Sequence, residues 1–219
     1  AVDHSTHGGN SMSNPINRLS PRSQGAPKYR LPFSAALLGL IAITGCSNMP
    51  SRPPMGQSFT ITSTGFEDGG MLAKKFAGNT KGNPNCIGDN VSPQFSWSNV
   101  PAGTKSFALV MVDPEGRGGL GVIHWVAYGI SASINSFAEG ELSQLGSKYV
   151  GGKGTAGMGH YLGPCTPPVT GLHHYTFTLI ATDLEPDALP PGLTRDELFA
   201  RLNGHTKGSA GIVGLFGRP

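Results

Sequence analysis

An aspartate, two histidines and a tyrosine stand where strands ought to begin and end. Asp113 closes the apolar run SFALVMV and is followed at once by Pro114, while His124 opens the next apolar run after the Gly-rich connection EGRGGLGVI. If those two runs pair antiparallel, the end of one lies beside the start of the other, and Asp113 and His124 share one rim of the sheet. His173 stands at the entrance to YTFTLIATD, two residues before Tyr175, so the two side chains fall on one side of an extended chain and His174 on the other. Taken singly, an Asp before Pro is also a turn former and a His at a strand start is also a polar edge residue. Their joint placement beside two Gly/Pro-rich loops is what points to a site.

A carboxylate, two imidazoles and a phenol around one mouth suit a small set of chemistries. Loop amides and imidazoles hold an anion by hydrogen bonding, and a carboxylate favours an attached amine or the charged form of a histidine. A phosphate ester carrying an ammonium satisfies both halves. Asp113 could instead orient His124 or His173 as a general base acting on a phosphate or acyl ester. A metal held by Asp113, His124 and His173 matches no specific spacing, so neither metal nor cofactor is expected. The chain has no Gly-x-Ser-x-Gly elbow, and Cys165, eight residues before His173, is the one thiol that a Cys-His pair could use there.

Cysteine usage bears on that thiol. Basic residues through Arg30 precede the apolar run LPFSAALLGLIAITGC, which has the length of a signal-peptide core rather than of a membrane span. Ile43-Thr44-Gly45-Cys46 resembles a bacterial lipobox, whose cysteine is acylated, and the polar, Pro-rich SNMPSRPPMGQ that follows suits a tether. With Cys46 reserved for lipid, Cys86 and Cys165 remain, and an exported compartment favours a disulfide between them over a Cys-His pair. Ser47 after the cysteine points, by analogy with such lipoproteins, to the outer membrane of a bacterial envelope, facing the periplasm. Residues 1–45 are thus expected to be leader and signal peptide, 46–57 tether, and 58–219 one folded domain. From Cys46 onward twelve Lys/Arg balance twelve Asp/Glu, so no nucleic-acid partner is expected.

The elements that must position these residues are mostly strands. With 33 Gly and 18 Pro the chain favours many turns over long helices. Short apolar runs separated by turn signals, SFTITSTGF, PQFSWSNV, SFALVMVD, IHWVAYGI, YTFTLIATD and AGIVGLFG, predict six strands. In YTFTLIATD the residues Tyr175, Phe177, Leu179 and Ala181 share one face against threonines on the other, whereas FALVMV is apolar on both faces and reads as a central, doubly covered strand. One helix is predicted from Arg195 to about Asn203, opened by the capping box Thr194-Arg195-Asp196-Glu197, carrying Leu198, Phe199 and Leu202 as its buried stripe and closed by Gly204.

The ordered string GDNVSPQFSWSNVPAGTKSFALVMVDPE, HWVAYGI, GPCTPP and GLHHYTFTLIATD resembles the phosphatidylethanolamine-binding protein family, in its bacterial Raf-kinase-inhibitor-like branch, over nearly all of 58–219. The resemblance implies a mainly β sandwich of two antiparallel sheets with a Greek-key element and a few peripheral helices. It also implies a small pocket for phosphate or a phospholipid headgroup, and regulation of a partner protein such as a protease or kinase. Carried over by motif, the pocket residues are Asp113, Glu115, His124, Gly163, Pro164, His173 and Tyr175. Two departures stand out: Glu115 replaces a second Asp in the run DPEGRGG, and His174 stands where an Arg is usual. The first is expected to loosen the loop after Asp113, and the second removes a fixed positive charge.

Overall fold

The computed structural model describes residues 57–218. The leader, Cys46 and most of the tether lie outside the described residues. Each of the six predicted runs holds a strand: β1 (Thr60–Thr62), β3 (Phe95–Ser98), β4 (Ser106–Asp113), β5 (Val122–Ser131), β8 (Leu172–Thr182) and β9 (Thr206–Gly217). Three two-residue strands, β2 (Gly70–Met71), β6 (Ser136–Phe137) and β7 (Val150–Gly151), complete the set. They are too short to show periodicity in the sequence.

The strands form a small sheet in the order β1-β3-β6 and a large one in the order β2-β9-β8-β4-β5-β7. After β5 the chain makes a long excursion and returns with β8 beside β4 rather than beside β5. Pairing is antiparallel throughout the long strands, as expected, and the two-residue strand β2 runs parallel to β9 at the margin of the large sheet. Two residues added beside the end of a long strand can pair in either direction, because no tight turn dictates it.

The large sheet is covered on both faces. Its inner face (Phe107, Leu109 and Met111 of β4; Trp125 and Ala127 of β5; Tyr175, Phe177, Leu179 and Ala181 of β8) packs on Ile61, Phe95, Trp97 and Phe137 of the small sheet. Its outer face, with Ala108, Val110, Val126, Tyr128 and Ile180, packs on Leu198 and Leu202 of the helix Arg195–Leu202. Strand β4 is therefore apolar on both sides because both sides are core. The helix has its capping box: Thr194 Oγ1 accepts from the Glu197 amide, and the Glu197 carboxylate accepts from the Thr194 amide. It ends one residue short of the expected Asn203, with Gly204 just beyond at φ 83°. Phe199 does not join the stripe and is 42% exposed; one turn of an eight-residue helix presents only Leu198 and Leu202 to the sheet.

Strand β5 carries two irregularities. Phe107 pairs with Ile130 and Leu109 with Ala127, which leaves an extra residue at Tyr128–Gly129, with Gly129 at φ 65°. Met111 pairs with Trp125 and Val112 with Ile123, which leaves His124 unpaired between them. Cys86 and Cys165 form a disulfide across a sequence separation of 79 residues, the pairing expected from the sequence.

A Cβ at Gly129 would sit 2.3 Å from the Pro186 carbonyl oxygen, whereas one at Gly204, also at positive φ, would meet nothing within 4 Å. Gly129→Ala is expected to destabilise the fold by about 2 kcal/mol more than Gly204→Ala, which costs only backbone strain of about 1 kcal/mol. Paired denaturant titrations check this, and equal losses would remove the clash argument. Replacing both Cys86 and Cys165 by serine is expected to lower the unfolding free energy by about 2–4 kcal/mol, read as a shift in denaturation midpoint that dithiothreitol reproduces in the unmutated chain.

Candidate functional site

Three neighbouring strands deliver the chemistry to one end of the large sheet. Asp113 is the last residue of β4 and lies on the same face as Met111, opposite Val122 of β5. On β8, His173 and Tyr175 point inward by ordinary alternation. His124 reaches that face only through the bulge. Unbroken alternation from Val126, which packs outward, would send His124 outward as well; the extra residue lets His124 and Trp125 both face inward. The sequence places His124 at the right rim, but the inserted residue that aims it is visible only in the register.

Asp113 is the hub. Its Oδ1 accepts hydrogen bonds from the amides of Glu115 (3.0 Å) and Gly116 (2.9 Å), and its Oδ2 accepts from Nδ1 of His173 (2.8 Å). Asp113, His124 and His173 are each no more than 5% exposed. His124 donates its Nδ1 proton to the Leu162 carbonyl at 3.0 Å, because a carbonyl can only accept. Burial pushes the His124 pKa down, against the opposing pull of the Leu162 carbonyl and the Asp113 carboxylate. With Nδ1 committed on both rings, each neutral imidazole keeps its lone pair on Nε2. Neither Nε2 is sealed away: among the described residues, the buried side-chain polar atoms without a partner are the indole nitrogens of Trp97 and Trp125.

Both rings line a cavity of about 720 Å³ together with Asp113, Glu115, Val122 and Tyr175. The Tyr175 ring meets the His124 ring edge to face at 5.2 Å, its hydroxyl is 2.7 Å from Thr166 Oγ1, and burial raises its pKa well beyond the ordinary phenol range. A second cavity of about 580 Å³, around Lys81, Asp89 and His160, shares Thr80, Ala156 and Leu162 with the first.

Gly163 and Pro164 stand behind this cavity rather than on its surface, and both are buried. Gly163 donates its amide to Asn90 Oδ1 at 2.8 Å, and a Cβ there would lie 2.0 Å from the Phe76 carbonyl oxygen. The Pro164 carbonyl accepts from the Gly78 amide at 2.8 Å. They hold Leu162, and so the ring of His124, in place. Cys165 lines the cavity as half of the disulfide, so the thiol of a Cys-His pair does not exist in this state. Both segments that it joins contribute to the wall, Thr80 and Asn83 on one side and Thr166, Pro167 and Thr170 on the other.

The two departures from the family pattern meet each other. Glu115 Oε2 accepts from the His174 amide at 3.0 Å, and Oε1 accepts from the His174 ring at 2.8 Å. Burial raises the Glu115 pKa, but these hydrogen bonds from His174 outweigh it and leave the carboxyl below its ordinary value. The loop after Asp113 is therefore clipped to β8, contrary to the looseness expected from Glu115. Sequence reading missed Asn90, Gly116, Arg117 and Thr166. Asn90 sits at φ 55° and is 8% exposed, with its side-chain amide donating to the Tyr161 carbonyl and its oxygen receiving the Gly163 amide. An Asn following Gly-Asp was the available signal, since Asn tolerates that conformation.

Comparisons with known proteins agree with this architecture. The family model described as phosphatidylethanolamine-binding protein matches residues 62–217. The chain is 36% identical over 208 residues to "Putative lipoprotein LppC" of Mycobacterium tuberculosis, covering 86% of this chain and 96% of that protein. It is 34% identical over 168 residues to a UPF0098 protein of Aquifex aeolicus, covering 74% and 91%. Among solved structures, Escherichia coli YbcL, described as a member of the mammalian PEBP family, superposes with a TM-score of 0.66 at 28% identity, covering 74% of this chain and 99% of that one. With its two facing sheets, its strand-end carboxylate and imidazoles, and this match over most of its length, the chain belongs to the phosphatidylethanolamine-binding protein family.

Proposed function

We propose that this chain is an exported, lipid-anchored binding protein whose Asp113–His124–His173 pocket takes a small anionic ligand, a phosphate or a phospholipid headgroup. The observation that carries this reading is the pair of buried rings, each fixed through Nδ1, that leave two Nε2 atoms available to one cavity. A protonated Nε2 donates to a phosphoryl oxygen, and a neutral one accepts from an acidic P–OH or an ammonium. Asp113, already accepting three hydrogen bonds, is held still and sets the His173 ring.

The envelope location draws support from the LppC likeness. Residues 57–218 make up less than three quarters of the chain, so an alignment over 86% of it reaches back into the leader. Acylation at Cys46 and an outer-membrane, periplasm-facing site belong to the same proposal. The rival reading is hydrolysis of a phosphate or acyl ester with His173 as base. Its supporting feature is the Asp113–His173 hydrogen bond, but Cys165 is oxidised and the Thr166 hydroxyl is engaged by Tyr175. Titration calorimetry with inorganic phosphate and phosphoethanolamine is expected to show saturable binding that His124→Ala/His173→Ala weakens at least about tenfold, the loss of roughly one charge-assisted hydrogen bond. Release of phosphate from a phosphoester that disappears with His173→Ala would instead establish the hydrolase.

The depressed pKa of His124 gives binding a pH signature. Without ligand the ring stays neutral at neutral pH, and an anion at Nε2 favours its proton. Affinity for glycerophosphoethanolamine, whose own charges are constant here, is therefore expected to rise from about pH 8 to about pH 6 with proton uptake. In the ligand-free protein the same group works the other way. Its contribution to stability is full above the ordinary histidine pKa of about 6.5 and is lost as pH falls through that value toward the lower folded one. Calorimetry in buffers of different ionisation enthalpy reads the proton, and affinity that falls toward acid would remove His124 from the anion site.

A further inference from the structure

Two apolar residues at the mouth of the cavity suit neither core nor turn. Leu120 is 80% exposed at the end of the loop Gly116-Arg117-Gly118-Gly119, whose three glycines offer no side chain to pack on it. Val169 is 89% exposed and sits at φ 58°, a conformation that a β-branched residue adopts only at an energetic cost and that Gly or Asn would take freely. Leu172, 51% exposed, stands two residues before His174, on the strand end to which Glu115 clips the Leu120 loop. Gly116, Arg117 and Gly118 from one loop and Pro167 and Thr170 from the other line the same cavity, so Leu120 and Val169 stand on its two lips, and Leu172 flanks them on the His174 side of β8. Exposed Phe199, by contrast, lies on the helix that packs on the far face of the large sheet.

We infer that this rim is a membrane-docking surface, with Leu120, Val169 and Leu172 entering the interfacial layer of a phospholipid bilayer around a headgroup seated in the cavity. A polar floor beneath an apolar rim matches an amphiphile whose headgroup lies below its apolar part. Arg117, which lines the same mouth, supplies the cation that faces the phosphate layer. Each large apolar side chain moved from water into the interface contributes on the scale of its buried area, and a few such tips together with one cation give reversible docking rather than insertion. The inference rests on the headgroup reading of the same cavity, and it selects a headgroup in a membrane over a free phosphate as the source of the ligand.

The test uses the full chain with one added tryptophan at a time, Leu120→Trp at the rim or Phe199→Trp on the helix that covers the far face of the large sheet, each read as the difference from the unmutated chain, whose Trp97 and Trp125 are buried. Each is mixed with phosphatidylethanolamine/phosphatidylglycerol vesicles with and without brominated acyl chains. Comparing two positions in one chain separates rim docking from attachment through the leader. Quenching by the brominated lipid at least about twofold stronger at position 120 than at 199, and reduced by Val169→Asn/Leu172→Ser, is the expected result. Equal quenching at both positions, or none at either, overturns the docking surface. A parallel titration with inorganic phosphate keeps the readings apart: phosphate binding without selective quenching leaves a pocket for soluble anions, and selective quenching without phosphate binding leaves a membrane-binding rim with no headgroup site.

Discussion

The carboxylate of Asp113 is the point on which the site turns. It receives two amides from the loop that follows it and one ring proton from the adjacent strand, so three segments are fixed relative to one another at a single buried group. Gly116 is part of the same constraint, because a Cβ there would lie 3.0 Å from Asp113 Oδ2 and 2.6 Å from Val122 Cγ2. The loop can fold back onto the carboxylate only where no side chain intervenes. Once it does, the His173 tautomer follows, since the ring must spend its Nδ1 proton on Asp113.

A second, independent set of bonds does for His124 what Asp113 does for His173. The Leu162 carbonyl orients the ring, and Leu162 is held by a buried lattice of backbone and amide groups. Tyr161 donates its hydroxyl to the Phe76 carbonyl, Asn90 bridges Tyr161 and Gly163, and Gly78 closes on Pro164. The two imidazoles are thus supported from opposite sides, one by a charged group and one by neutral backbone. Burial without a carboxylate in direct contact accounts for the downward push on the pKa of His124.

Much of this was legible in the residues because the long strands are patterned without ambiguity. Alternation in β8 separates Tyr175 and Phe177 from their threonine neighbours, and β4 is apolar on both faces because it is covered on both. The same logic put Asp113, His124 and His173 at one rim. It failed where position depends on counting rather than on type: the unpaired residue of β5, the two-residue strands and the parallel edge all leave no trace in hydrophobic period. It also failed where two changes compensate. Glu115 and His174 read separately as a loosened loop and a lost charge, yet together they make one contact between loop and strand. Gly163 and Pro164, carried over as pocket residues, instead act from behind the wall.

The bulge in β5 has an implication for how such a site persists. On either side of it the strand runs in two phases that differ by half a period, and the residue at the seam belongs to the inner face only because both phases are present. Removing one residue there would preserve every hydrogen-bonding type and almost every apolar residue of the strand while turning the imidazole toward the helix side. The site is therefore tolerant of many changes of identity in its supporting strand and intolerant of a change in length, so its history should be written in the absence of insertions and deletions between Val122 and Trp125.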